Sequence, residues 1–207
     1  MEFRDAVRRR RMVRTYADRP LPDGLADELA AAALRAPSAG FTQGVSLLLL
    51  ESPAERDRFW TAVEPEGPTT AWVRSLRTAP VLILLWTNQT AYLDRYAEPD
   101  KGWTDRDPAR WSAPYWWVDA GMAGMLTLLA AVDQGLGAGF FGIPADRIEA
   151  VRAAFAVPPE ESSVGVISVG YPHPDELPVG SPTRRGRKPV SSLVHRGNWT
   201  PATSQEP

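Results

Sequence analysis

The chain has 207 residues, 43% apolar and 23% charged, with a net charge of −2. That is the balance of an ordinary globular protein, and it argues against a general nucleic-acid binder, which carries a basic surplus over a whole face. It has no cysteine, which excludes disulfides, thiol nucleophiles and Cys-based zinc or iron–sulfur sites. The N-terminus is acidic then basic without an apolar h-region, so it does not read as a secretory signal, and the longest apolar runs fall short of a membrane span. A cytoplasmic protein without nucleic-acid or membrane partners is the expectation.

Residues 2–11 read as a short amphipathic helix that ends near Met12, because Val13, Thr15 and Tyr16 are poor helix formers. Five arginines fall at positions 8, 9, 10, 11 and 14, so Arg10, Arg11 and Arg14 lie on a helix end and its extended exit. A helix over 23–35 follows, with Leu25, Leu29, Ala33 and Leu34 at helical spacing. It stops at Ala36-Pro37-Ser38-Ala39-Gly40. Val45 to Leu50 is a buried strand by length and composition. Ser52-Pro53-Ala54-Glu55 is a capping-box helix start, and that helix runs to about Val63. A short helix is expected around 70–77.

Pro80 to Trp86 reads as a second buried strand. Thr87 to Trp111 reads as irregular and aromatic-rich, and a long loop of this kind within one domain points to a lid or binding loop. Its Asp, Glu, Arg and Lys residues between 94 and 107 read as salt-bridged and solvated. From Pro114 to about Gln134 runs the longest helix, apolar nearly all round and so expected to be buried. Gly135-Leu136-Gly137 ends it. Strands are expected at 138–143 and 164–170, with a helix over 144–155 between them. The tail from Tyr171 is rich in Pro, Gly and Arg. Helices mix with separated strands without clean βαβα alternation, which defines an α+β class.

Gly137-Ala138-Gly139-Phe140-Phe141-Gly142 matches the dinucleotide fingerprint by spelling alone. That motif needs a strand before it and a helix opening within it, whereas here a helix precedes and a strand overlaps. His173 and His195 lack a metal-ligand pattern, and no serine sits in a nucleophile elbow. Arg184-Arg185-Gly186-Arg187-Lys188 is a second basic cluster. With Arg10, Arg11 and Arg14 it offers bidentate guanidinium donors suited to a phosphate, if the two clusters converge.

The order of motifs resembles the nitroreductase family of flavoproteins over nearly the whole chain. It is carried by Arg10 to Tyr16, by Ala36-Pro37-Ser38-Ala39-Gly40-Phe41-Thr42-Gln43, and by the Asp119-Ala120-Gly121 helix. The Gly135-Leu136-Gly137 turn with its strand and the Arg185-Gly186-Arg187-Lys188-Pro189-Val190 tail complete it. The resemblance implies a single domain over 1–207, an α+β sandwich with a mixed or antiparallel sheet, working as an intertwined homodimer with FMN at the interface. Arg10, Arg11, Arg185 and Arg187 would meet the flavin phosphate and ribityl chain, and Arg14 the pyrimidine edge. Pro37, Ser38 and Ala39 would come from the other subunit, assisted by Gln43. The backbone of Phe140, Phe141 and Gly142 would approach the ring, and 87–117 would form the lid. The tail would run over 171–207.

The implied activity takes hydride from NAD(P)H and passes it to a small aromatic nitro or quinone-like acceptor by a ping-pong mechanism, with no acid–base side chain required. Alternatives are a flavin-fragmenting or deazaflavin-linked member of the family, or a flavin-binding protein without turnover. Met12 stands where many members have serine, Phe41 where many have asparagine, and Gly44-Val45 where Pro-Trp is common. An aromatic at 41 would narrow the pocket or stack against it.

Overall fold

The two apolar runs pair with each other. In the computed structural model, which describes residues 1–64, 66, 70–175 and 184–199, β1 (Val45–Leu50) lies antiparallel to β2 (Val81–Asn88), with Val45 opposite Thr87 and Leu50 opposite Leu82. The other two strands are β3 (Gly137–Phe141) and β4 (Glu161–Gly170). The order is β1-β2-β4-β3 and every ladder is antiparallel. The sheet is therefore not mixed. Among the described residues, parallel pairing occurs only at an isolated bridge between Met12 and Ala138. β2 is buried from Val81 through Thr87, as expected for a central strand covered on both faces.

Helices cover both faces. On one side Leu82, Leu84, Trp86 and Val166 pack with Phe59, Trp60 and Val63 of α3 (Pro53–Val63), Val73 and Leu76 of α4 (Ala71–Leu76), and Val151 of α7 (Ile148–Phe155). On the other, Val81, Ile83, Ile167 and Val169 meet Leu25, Ala26 and Leu29 of α2 (Leu25–Ala33) and Leu128 and Ala131 of α6 (Tyr115–Asp133). The α3 start is the capping box read from the sequence: Glu55 N donates to Ser52 Oγ, and Glu55 Oε2 accepts from Ser52 N at 2.9 Å.

Several expectations are corrected. The N-terminal helix, α1 (Phe3–Arg9), ends three residues before Met12. The stretch from 87 to 111 is not irregular throughout. It begins as the end of β2 and continues as α5 (Gln89–Ala97), whose N-cap Asn88 accepts from Ala91 N at 3.1 Å. Tyr92 is fully buried, so packing stabilises a helix that local composition disguised. The 144–155 helix starts as a 3₁₀ turn, Ala145–Arg147, before α7.

α6 is not buried all round. Trp116, Asp119, Ala120, Ala123, Gly124, Thr127, Leu128 and Ala131 form its buried stripe. Trp117, Val118 and Met125 on the opposite face are 40%, 44% and 46% exposed. By length and composition α6 alone, among the described residues, could cross a membrane. Half of that span is buried, with the stripe against the sheet. The chain divides into two compact units, Met1–Glu176 and Leu177–Pro207. The second holds a short 3₁₀ turn, Val190–Ser192, and a stacked His195–Trp199 ring pair at 4.1 Å.

Candidate functional site

The arginine-rich stretch leaves α1 at Arg10 and becomes an extended strap along β3, an edge strand with a free side. Val13 N donates to the Ala138 carbonyl at 2.9 Å, and Phe140 N donates to Met12 Sδ at 3.4 Å. Further along, Ala17 N donates to the Tyr171 carbonyl at 2.8 Å and His173 N to the Thr15 carbonyl at 3.0 Å. Tyr16, 2% exposed, pins the strap from inside, its hydroxyl 2.8 Å from the Val13 carbonyl and 2.7 Å from Ser168 Oγ. Beyond Val13 the strap leaves β3: Tyr16 bridges Pro172 in the antiparallel sense and its ring borders Gly170, which pairs with Gly137.

The glycines of β3 answer the decoy motif. A Cβ at Gly139 would stand 2.3 Å from the Val13 carbonyl oxygen, and one at Gly137 would stand 2.7 Å from Val13 Cγ2. Close packing of the strap demands these glycines, whereas Gly142 faces open space. The Phe140 ring lies over Gly165, where a Cβ would meet it at 2.6 Å. Phe140 is partly exposed and Phe141 is buried, stacked on Trp60 at 5.8 Å.

Arg10 is half-buried, and its Nη1 is buried with no hydrogen-bond partner among the described residues. A desolvated guanidinium nitrogen is costly unless an anion or acceptor meets it. Arg11 lines a separate surface pocket of about 190 Å³ with Arg9, Val13, Gly137 and Pro172. That separation follows from the two-residue alternation of extended backbone. Arg14 is half-buried. The strap thus carries Arg10 and Arg14 two residues to either side of the Met12–Ala138 bridge at the edge of β3. Arg185 and Arg187 belong to the second unit and are exposed there.

The loop holding Pro37, Ser38, Ala39 and Gln43 is anchored to α6 by a residue that sequence reasoning did not single out as functional. Asp119, 2% exposed, accepts from Ala39 N at 2.8 Å and from the Tyr92 hydroxyl at 2.9 Å, both on Oδ2. Burial first, and then this carboxylate, push the Tyr92 phenol well above its usual range. The signal was present in the sequence, since a lone carboxylate inside an apolar helix must find donors. Ser38 Oγ accepts from Gln43 N at 3.0 Å, and Arg95 Nε donates to the Gly40 carbonyl at 2.8 Å. A cleft of about 190 Å³ opens here, lined by Pro37, Ser38, Gln43, Val45, Asp119 and Ala123.

Beside the loop the aromatic residues stack on one another. Tyr96 lies 4.3 Å from Trp111 and 5.0 Å from Trp103, while Tyr92 and Trp116 reach Trp111 at 6.1 Å. The charged residues among them are ion-paired, as read from the sequence: Arg95 with Asp100 at 2.7 Å and Arg110 with Asp105 at 3.0 Å. The Arg95 hydrogen bonds hold the Asp100 carboxyl below its ordinary range.

The fold is an α+β sandwich with a basic strap on an edge strand and a Pro-Ser-Ala loop tied to its central helix. Residues 7–171 match the family model described as the nitroreductase family. A protein of Methanothermobacter thermautotrophicus assigned as an NADH dehydrogenase/NAD(P)H nitroreductase is 28% identical over 174 residues, 83% of this chain and 78% of that protein. A protein of Exiguobacterium sibiricum assigned as a nitroreductase, solved in complex with FMN, superposes with a TM-score of 0.74 at 17% identity, covering 97% of this chain and 98% of that one. Another from Desulfovibrio desulfuricans, also solved with FMN, gives 0.71 at 22% identity over 97% and 99%. The chain belongs to the nitroreductase family.

Proposed function

We propose that the protein is an FMN-dependent oxidoreductase that takes hydride from NAD(P)H and reduces a small aromatic nitro or quinone-like acceptor by a ping-pong mechanism. The observation that carries this is the buried Arg10 Nη1, unpartnered among the described residues, on the strap whose Met12 Sδ accepts from Phe140 N. An anionic cofactor with a phosphate at one end and a ring at the other fits that arrangement. The relatives' names and the FMN complexes of similar folds support the same reading.

In this reading Arg10 meets the phosphate and ribityl chain, Arg11 is kept as a cofactor-binding residue from the neighbouring pocket it lines, and Arg185 and Arg187 are kept as flavin-binding residues of the tail. Arg14 would sit at the pyrimidine edge, where its positive charge would favour two-electron reduction of the cofactor. The backbone of Phe140, Phe141 and Gly142 borders the ring. Pro37, Ser38, Ala39 and Gln43 reach the flavin of a second copy. The exposed apolar residues of α1 and α6, Phe3 and Val7 with Trp117, Val118 and Met125, support a homodimer because the described residues leave them uncovered. Residues 87–117 serve as the lid of a single functional domain. Bound flavin supplies the redox chemistry: two electrons and a proton leave the nicotinamide as hydride, and the acceptor takes two electrons and two protons, the second proton from solvent. These side chains and backbone groups would bind and orient the cofactor and exclude water.

An anaerobic absorbance spectrum before and after NADPH tests the reading. Bound flavin that bleaches supports it. Bound flavin that neither NADPH nor NADH reduces would assign the protein to a flavin-fragmenting, deazaflavin-linked or non-catalytic role. Protein that cannot be reconstituted with FMN would overturn all of these.

A further inference from the structure

Four non-glycine residues among those described adopt positive φ, and two of them, Phe41 and Gln43 (both φ 57°), fall within three residues of each other in the candidate cofactor loop. Left-handed backbone is uncommon for a bulky side chain and persists only where surrounding structure enforces it. Here the enforcement is visible. Asp119 holds Ala39 N, Arg95 holds the Gly40 carbonyl, Ser38 Oγ holds Gln43 N, and Thr42 Oγ1 donates to the Ala39 carbonyl at 2.6 Å. Gly40, at φ 62°, has no room for a side chain because Tyr96 Cε2 stands 2.7 Å from where its Cβ would be.

This rigid loop presents an aromatic ring to solvent. Phe41 is 74% exposed, so burial within the chain does not account for a phenyl group at a position that glycine or asparagine would occupy with less strain. Neighbouring Pro37 and Ser38 face the cleft above Asp119. A preorganised aromatic beside a small-molecule site is a stacking surface, and its rigidity lowers the entropy lost on binding.

We propose that Phe41 is a specificity-determining residue: its ring forms one wall of the acceptor pocket, built with a second copy of this chain, and selects planar aromatic acceptors by stacking. This rests on the flavin reading above. The flavin-loaded protein is reduced with dithionite under nitrogen and mixed in a stopped-flow cell with menadione, which stacks, or ferricyanide, which does not. Phe41→Asn is expected to raise the menadione concentration for half-maximal reoxidation about tenfold while the ferricyanide rate changes less than about twofold. The same substitution is expected to raise the melting temperature by roughly 1–3 °C, because asparagine tolerates left-handed backbone. Phe41→Tyr is expected to keep the menadione value of the parent. An unchanged menadione value in Phe41→Asn overturns the proposal, and so does equal slowing of both acceptors, which indicates loop collapse. Parent protein that binds no flavin overturns the functional reading itself and is visible before either acceptor is added.

Discussion

The Tyr92 hydroxyl donates to Asp119 Oδ2 at 2.9 Å across 27 residues of sequence, and the same oxygen accepts from Ala39 N at 2.8 Å. One buried carboxylate thus ties α5 and the Pro37–Gln43 loop to α6. Asp119→Ala leaves one buried donor, the Tyr92 hydroxyl, and one part-buried donor, Ala39 N, unsatisfied, which costs about 2–4 kcal/mol. The expected result is a melting temperature lower by roughly 5–15 °C. Asp119→Asn keeps an acceptor and is expected to lose less than half as much. Thermal unfolding of both variants beside the parent checks this, and equal losses would refute it.

The same pair sets an alkaline limit. Burial and the Asp119 carboxylate raise the Tyr92 phenol above its unfolded value, so the folded state keeps its proton where the unfolded state releases it. The stability this contributes is complete below about pH 10, the unfolded value, and is lost as pH rises from there toward the folded value. Tyr92→Phe is expected to remove that slope while lowering stability at neutral pH by about 1 kcal/mol. Phenolate absorbance followed against pH, with far-UV circular dichroism, measures it. The protein has five tyrosines, and one is expected to ionise only as the fold is lost.

Arg10→Ala is expected to weaken FMN binding by about 10–100-fold, the scale of a charge-assisted bond to phosphate. Arg8 is exposed and paired with Asp5, and Arg8→Ala is expected to leave the affinity within about twofold. Quenching of FMN fluorescence by the apoprotein gives both constants. Equal effects at 8 and 10 would mean a diffuse basic face in place of a site.

Arg14→Ala is expected to lower flavin affinity and to shift the bound flavin's potential downward by about 30 mV, which is about 1.4 kcal/mol for a two-electron couple. An anaerobic dye-linked titration reads it. An unchanged potential would refute the placement of Arg14 at the pyrimidine edge.

Gly139→Ala would place a Cβ 2.3 Å from the Val13 carbonyl, and backbone cannot yield there as a flexible side chain would. Destabilisation of about 1–3 kcal/mol is expected, with the strap displaced from β3. Amide exchange at Val13, whose N–H bonds to Ala138, reports that displacement directly.

The sequence by itself determined the strands, the capping-box helix, the long central helix and the α+β class, because apolar periodicity and caps act over a few residues. The ordered combination of motifs, from Arg10–Tyr16 and Ala36–Gln43 through the Asp119 helix and the Gly135–Gly137 turn to the 185–190 tail, pointed to the nitroreductase family. Only tertiary structure decided that Arg10 is desolvated while Arg11 lines another pocket, because strand alternation separates neighbours that composition groups together. Only tertiary structure showed that 89–97 is helical, since its stability comes from burying Tyr92. Asp119 likewise gained its role from donors 27 and 80 residues away. Hydrogen bonds of that span join residues whose sequence separation carries no trace of their contact, and the strained backbone at Phe41 exists because those bonds close around it.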